Sequence, residues 1–318
     1  RNILRDALSR RRSEGVIDGT KDFLLDRLDD ALEPLARSLS GKAVWSEMKE
    51  NARRAALSAE ERKRFTDPSA ATVDGASHLA AHAIAALCAR DQDVAVHIAA
   101  HSAGSIFMAP FIGTLRSAFA EAGVARGPIA TCSLWAPACT VSTFEEDYRP
   151  FLDTGAIDEL ALYTLTDEVE QDDHCARIYN KSLLYLVSNA FESKPRIPLF
   201  REGEPILGMA RHAGRSDAFT GASPKVAWIQ APNNAPAGDP FASHAKSHGA
   251  FDDDEATVAG TLRRVTAWGR GGVLAGLKAR GGTADVAAVA PGAAVPAPMF
   301  ERSARSSRER RIELNRES

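Results

Sequence analysis

The sequence predicts an α/β fold with a mostly parallel sheet, because short apolar runs alternate with helical segments through its middle part. The apolar runs lie at 94–100, 129–135, 160–165 and 226–229. Nearly continuous apolar runs of this length are typical of strands that are buried on both faces of a parallel sheet. Helices are predicted near residues 103–120, 178–191 and 254–268. Strands that alternate with helices in this way indicate a sheet covered by helices.

Residues 1–90 are predicted to form a helical region that packs on this sheet. From Asp22 onward five leucines recur at helical spacing: Leu24, Leu28, Leu32, Leu35 and Leu39. Thr20 is the expected N-cap of this helix, and Pro34 is expected to kink it or to end it early. Further helices are predicted around Trp45 to Ala55, after Ser58, whose spacing to Glu61 predicts a capping box, and at 76–90.

Residues 269–318 are predicted to be a disordered tail. This segment is rich in Gly, Ala and Pro without periodicity, and it ends in a run of mixed charge rich in Arg and Ser. Such a composition buries too little apolar area to offset its ordering entropy. The α/β core is therefore expected within residues 91–268.

The composition narrows the classes of partner. Of 318 residues, 44% are hydrophobic and 25% are charged, with a net charge of −3, so no nucleic-acid or anionic-membrane partner is expected. No apolar run approaches the roughly 20 residues that a membrane span requires. The four cysteines form no CxxC pair, which predicts reduced thiols and a cytoplasmic protein.

The segment Ala100-His101-Ser102-Ala103-Gly104 joins the first predicted strand to the helix that follows it. A sharp strand-to-helix turn exposes a serine hydroxyl and points helix N–H groups at a developing oxyanion. Small residues are needed two positions before and two positions after the serine, and Ala100 and Gly104 satisfy this need. Ser102 is thus the predicted nucleophile, and the Ala103 N–H is the predicted oxyanion donor.

At these residues the chain resembles the α/β-hydrolase superfamily, in particular its lipase and esterase branch, over about residues 94–267. The resemblance implies a catalytic triad in the chain order serine, acid, histidine. It places the acid after the predicted strand 160–165, where Asp167 follows directly. Glu170 and Asp172 of the same acidic stretch remain alternatives for this role.

The same chain order places the general base after the last strand, where only His244 and His248 qualify. His248 is favoured because Gly249 permits a tight turn and because Asp252 or Asp253 can cap the next helix. In the implied mechanism Asp167 orients His248, which accepts the proton of Ser102.

Neither a metal nor another cofactor is expected. The pairs His244/His248 and His78/His82 have the i,i+4 spacing of helical metal ligands, but neither pair encloses the glutamate of a zinc-protease motif.

Two features depart from the family's pattern. Ala100 stands where glycine is usual, and no strand is predicted before Val94, although the family places strands and a second oxyanion donor there. We therefore expect the sequence to be a fragment that begins after those strands. The alternative is a small sheet whose edge is covered by the helices of residues 22–90.

These patterns predict a serine hydrolase that cleaves a small-molecule carboxylic ester or thioester through an acyl-enzyme. Trp135, Phe144 and Phe151 are candidates for an acyl pocket or lid, although core positions are equally expected for them. The alternative function is a non-catalytic binding or scaffold protein with an α/β-hydrolase fold.

Overall fold

A computed structural model describes residues 29–64, 73–175, 179–221, 223 and 225–268 of the chain. Its centre is a sheet of four parallel strands in the order β1-β2-β3-β4. The strands are β1 (His97–His101), β2 (Ile129–Trp135), β3 (Ile157–Leu165) and β4 (Val226–Ala231). The prediction of an α/β fold on a parallel sheet is therefore confirmed.

The strand bounds differ from the predicted ones where an apolar run does not coincide with a sheet partner. β2 has the predicted bounds, and six of its seven residues are buried. β1 begins at His97 rather than Val94, because pairing with β2 starts where His97 lies opposite Thr131. β4 continues past Ile229 to Ala231, since Ala231 pairs with Leu165 at the end of β3.

Helices flank the sheet and connect its strands. In chain order they are α1 (Lys42–Ala55), α2 (Ala59–Arg62), α3 (Ala76–Arg90), α4 (Gly104–Glu121), α5 (Val141–Asp147), α6 (Arg149–Asp153), α7 (Asp167–Asp172), α8 (Leu183–Leu186), α9 (Ala210–Ala213), α10 (Asp217–Thr220) and α11 (Glu255–Ala267). The predicted helix 178–191 is shorter than expected: α8 is followed by a π-helix at Val187–Phe191. A 3₁₀ turn at His248–Ala250 precedes α11.

The helices before β1 pack mainly on α4. Residues 29–36 are helical, so the helix continues past Pro34, and the break comes later, at Leu39 and Ser40, inside the π-helical segment Arg37–Gly41. The predicted capping box of Ser58 and Glu61 is present at the start of α2. α3 and α1 both contact α4. Among the described strands, β1 pairs only with β2 and so lies at the sheet edge.

Thr20, Leu24 and Leu28 fall outside the described residues, as does the predicted tail 269–318.

α11 is attached to the sheet by a buried arginine. Arg264 is 2% exposed, its guanidinium donates to the Pro240 carbonyl and to Ser133 Oγ, and it lies over the Tyr163 ring at 5.1 Å. Because Pro240 belongs to the segment between β4 and α11, this contact also ties α11 to the loop that carries His248.

All four cysteines are free thiols, and three of them are buried. Burial raises the pKa of Cys132 and of Cys139 to about 12, which makes both thiols poor nucleophiles. Within the described part of the chain, no helix combines the length and the apolar character needed to cross a bilayer.

Candidate active site

Ser102 occupies a strained turn between β1 and α4. Its φ angle is +52°, a left-handed conformation that is uncommon for a residue other than glycine. Strain of this kind persists only where the surrounding structure enforces it, and it is concentrated at functional sites. The predicted strand–turn–helix context of Ser102 is thus present.

Hydrogen bonds hold this turn from several sides. The Ser102 N–H donates to the Trp135 carbonyl at 2.9 Å, and the Ser102 carbonyl accepts from the Ala138 N–H at 3.0 Å. The same carbonyl accepts from the N–H and the hydroxyl of Ser105, at 3.1 and 2.7 Å. Ser105 Oγ in turn accepts from the Cys139 N–H at 3.1 Å. The turn is therefore tied both to the first turn of α4 and to the loop after β2.

Ala100 fits at the elbow without crowding the start of α4. A Cβ placed on Gly104 would lie 3.6 Å from the Ala100 Cβ, which is an ordinary van der Waals distance. The usual glycine two residues before the serine is therefore not required for this close approach of strand and helix.

His248 lies beside Ser102, although 146 residues separate them in the chain. Its Nε2 is 2.8 Å from Ser102 Oγ. The His248 side chain is buried, and burial lowers its pKa to about 4, with a smaller contribution from the neighbouring His101. The imidazole is therefore neutral at pH 7 and able to accept the hydroxyl proton.

His101, the residue before Ser102, also contacts His248. Its Nε2 lies 2.8 Å from the His248 carbonyl oxygen, and the two rings are 5.3 Å apart. Because a carbonyl only accepts, His101 carries its proton on Nε2 when it makes this bond. Sequence reasoning did not find this role of His101.

Asp167 does not bond to His248. Its two carboxylate oxygens accept from the Tyr185 hydroxyl at 2.8 Å and from Gln171 Nε2 at 2.7 Å. Asp167 is the first residue of α7, and its side chain is directed toward the helix surface and α8. The sequence shows that Asp167 follows β3, but it does not show the direction of the Asp167 side chain.

The carboxylate that reaches His248 belongs to Asp173, at the end of α7. Asp173 Oδ2 accepts from the His248 backbone N–H at 2.8 Å. His248 Nδ1 is buried and has no hydrogen-bond partner among the described residues. A neutral His248 that accepts from Ser102 through Nε2 carries its proton on Nδ1, so a nearby carboxylate is the group this nitrogen lacks.

The other acidic candidates lie elsewhere. Glu170 is fully buried and accepts from the Ser182 hydroxyl, and burial raises its pKa to about 8. It is therefore protonated at pH 7. Asp172 is exposed at the end of α7.

His244 points away from the site, with Nε2 at 2.7 Å from the Ala235 carbonyl oxygen. Neither Asp252 nor Asp253 caps α11; the cap is Asp254, whose carboxylate accepts from the Thr257 N–H. Gly249 lies in the 3₁₀ turn without a positive φ angle, so the turn does not depend on glycine there.

The Ala103 N–H donates to no other described residue, so it is free to bind an oxyanion.

No group of three or more histidine, cysteine, aspartate and glutamate side chains among the described residues is arranged to hold a metal ion. The rings of His78 and His82 lie 4.4 Å apart on α3, but they form no such group.

The aromatic residues considered for an acyl pocket have other contacts. Phe144 is fully buried and packs on Tyr148 and Phe219. Trp135 Nε1 donates to Thr261 Oγ1 of α11 at 3.3 Å, and Phe151 lies against Arg116 of α4.

Comparison of the chain with family models, with curated proteins and with solved structures finds no match in any of the three.

Proposed function

We propose that the chain is a serine hydrolase of the α/β-hydrolase type, which cleaves a carboxylic ester or thioester through an acyl-enzyme. The observation that carries the proposal is the 2.8 Å contact between Ser102 Oγ and His248 Nε2, made by a serine with a positive φ angle between a parallel strand and a helix. The strand order is consistent with it, since Ser102, the acidic helix α7 and His248 follow β1, β3 and β4 in turn.

The chemistry follows from these positions. Ser102 Oγ attacks the substrate carbonyl carbon while its proton passes to His248 Nε2, and the Ala103 N–H stabilises the oxyanion. The tetrahedral intermediate then expels the alcohol or thiol, which takes the proton from Nε2. Water, deprotonated by His248, attacks the acyl-serine, and collapse of the second intermediate releases the carboxylic acid and restores Ser102.

Asp173, in place of Asp167, is the proposed acid of the catalytic triad. The Asp173 carboxylate accepts from the backbone N–H of His248. In the proposed reaction it moves to accept from Nδ1 and stabilises the imidazolium that forms in each half-reaction.

A serine-reactive fluorophosphonate probe tests this proposal. We expect the wild-type chain to be labelled, Ser102→Ala to be unlabelled, and His248→Gln to be labelled at least about 10³-fold more slowly. His244→Gln is the matched control, because His244 bonds outside the site, and it should be labelled at the wild-type rate. Labelling that persists in Ser102→Ala would exclude the mechanism.

A non-catalytic binding protein is the second candidate, and the unpartnered Nδ1 of His248 is the observation that favours it. This candidate predicts no labelling of a folded wild-type protein and equal ligand binding by wild type and Ser102→Ala.

A further inference from the structure

An open apolar groove lies beside the predicted oxyanion donor. Its volume is about 420 Å³, within the range of about 300–1,000 Å³ that is usual for small-molecule sites. One wall comes from α1 and the other from the elbow and the first turn of α4. The apolar residues that line it are Val44, Met48, Ala52, Ala103, Ile106 and Phe107. We call it the α1–α4 groove.

The groove adjoins the elbow, because Ala103, whose N–H is the proposed oxyanion donor, is one of its lining residues. An ester bound through its carbonyl oxygen to the Ala103 N–H would have its acyl chain within reach of the groove. Val44 is 63% exposed and Phe107 is 39% exposed, so large apolar side chains face solvent there. An aliphatic chain in the groove would cover this surface.

Hydrogen bonds outside the groove hold α1 in place. Trp45 Nε1 and Lys49 Nζ both donate to Glu192, at 2.7 Å each, and Glu192 is 3% exposed. Trp45 and Lys49 are one helical turn apart, and Val44 and Met48 each precede one of them. α1 therefore presents its apolar residues to the groove, while a partly buried ion pair between Lys49 and Glu192 anchors it to the region after α8.

The polar residues of the groove restrict the substrate's charge. Glu47 and Asn51 line it together with the apolar residues, and neither side chain bonds to another described group. The unpaired Glu47 carboxylate repels an anionic acyl chain such as that of a dicarboxylic half-ester. The groove thus fits an uncharged chain.

We infer that the α1–α4 groove binds an uncharged aliphatic acyl chain of several carbons, and so sets the substrate class of the Ser102 site. This inference rests on the proposed hydrolase function. It assigns acyl-chain recognition to α1, a helix that precedes the elbow, rather than to Trp135, Phe144 or Phe151.

Chain-length selectivity gives the first test, measured as kcat/KM for p-nitrophenyl acetate, butyrate and octanoate. Burial of each methylene group raises kcat/KM by up to about fourfold, so octanoate should exceed acetate by at least roughly tenfold. Met48→Trp fills the groove and should reduce the octanoate-to-acetate ratio at least about tenfold. Leu87→Trp is the matched control, because Leu87 is an exposed leucine of α3 outside the groove, and it should preserve the ratio. A ratio unchanged by Met48→Trp would overturn the inference.

Binding without turnover gives a second test that does not depend on catalysis. Methyl octanoate is titrated calorimetrically into Ser102→Ala, and into the double variants that add Met48→Trp or Leu87→Trp. Binding that is lost only with Met48→Trp supports the groove even if the wild-type chain proves inactive. Absence of binding to Ser102→Ala overturns it even if the wild-type chain is labelled at Ser102. Self-association that Met48→Trp abolishes, without ester binding, would instead identify the groove as a contact between copies of the chain.

Discussion

The elbow around Ser102 and the acid loop differ in how firmly their functional groups are fixed. The acid loop is the name used here for residues 167–174, which comprise α7 and the two residues after it. At the elbow, three hydrogen bonds converge on the Ser102 carbonyl, Ser102 has a strained φ angle, and its hydroxyl lies 2.8 Å from His248 Nε2. In the acid loop several carboxyl groups compete, and the one that reaches His248 does so through the backbone N–H. The difference teaches that the proposed nucleophile is specified locally, whereas the proposed acid depends on how the end of α7 folds against the distant segment that carries His248.

The largest expected effect concerns which carboxylate serves His248. Asp173→Asn should lower kcat by roughly 10²–10⁴-fold, because the amide leaves the imidazolium without a neighbouring negative charge. Asp167→Asn is the matched control, since Asp167 bonds to Tyr185 and Gln171, and its kcat should stay within about threefold of wild type. Steady-state kinetics with a p-nitrophenyl ester measures both. The reverse order of effects would restore Asp167 as the acid.

A second prediction concerns the pH dependence that the acid loop confers on stability. Burial raises the pKa of Glu170 from 4.5 to about 8. Between these two pH values the folded chain therefore retains a proton that the unfolded chain has released. The stabilisation is full below pH 4.5 and is lost as the pH rises through about 8. We expect the free energy of unfolding to fall by on the order of 4 kcal/mol between pH 5 and pH 9 from this group.

Glu170→Gln should remove this loss, because glutamine is neutral at every pH. Urea unfolding at pH 5, 7 and 9 measures it. Glu168→Gln, at an exposed position of the same helix, should keep the wild-type dependence. Parallel pH curves for wild type and Glu170→Gln would show that Glu170 does not titrate on unfolding.

A smaller effect is expected at the elbow. Ser105→Ala removes the hydroxyl that donates to the Ser102 carbonyl and leaves the Cys139 N–H without its acceptor. The cost of one unsatisfied buried donor is about 1–3 kcal/mol in the free energy of unfolding. Ser117→Ala, on the exposed side of the same helix, should change it by less than about 0.5 kcal/mol. Equal urea midpoints for the two variants would mean that the Ser105 hydroxyl does not support the turn.

β2, the elbow and His248 could be predicted from the sequence, because each depends on a local pattern or on chain order. β2 and the elbow are local patterns: a continuous apolar run, and a serine between small residues where a strand meets a helix. His248 could be found because chain order left only two histidines to choose between. Asp173 could not, because α7 and its end carry several carboxylates and only the folded loop decides which one faces His248. The α1–α4 groove arises from contact between distant helices and leaves no signal in either segment.

The smallest expected effect is a pH profile of activity that is nearly flat above pH 5.5. The pKa of His248 is lowered to about 4 because its imidazole is buried and lies next to His101. The base is active when neutral, so activity rises with pH through this pKa and then levels off. Because kcat/KM reports the free enzyme, its acid limb should have a midpoint nearer 4 than the usual 6.5, with less than about a twofold change between pH 5.5 and 8. Circular dichroism at each pH separates this limb from acid unfolding. A midpoint near 6.5 in a folded protein would contradict this prediction. If Asp173→Asn then lowered that midpoint again, the Asp173 carboxylate would already reach Nδ1 before substrate binds, and the acid loop would be as firmly preorganised as the elbow.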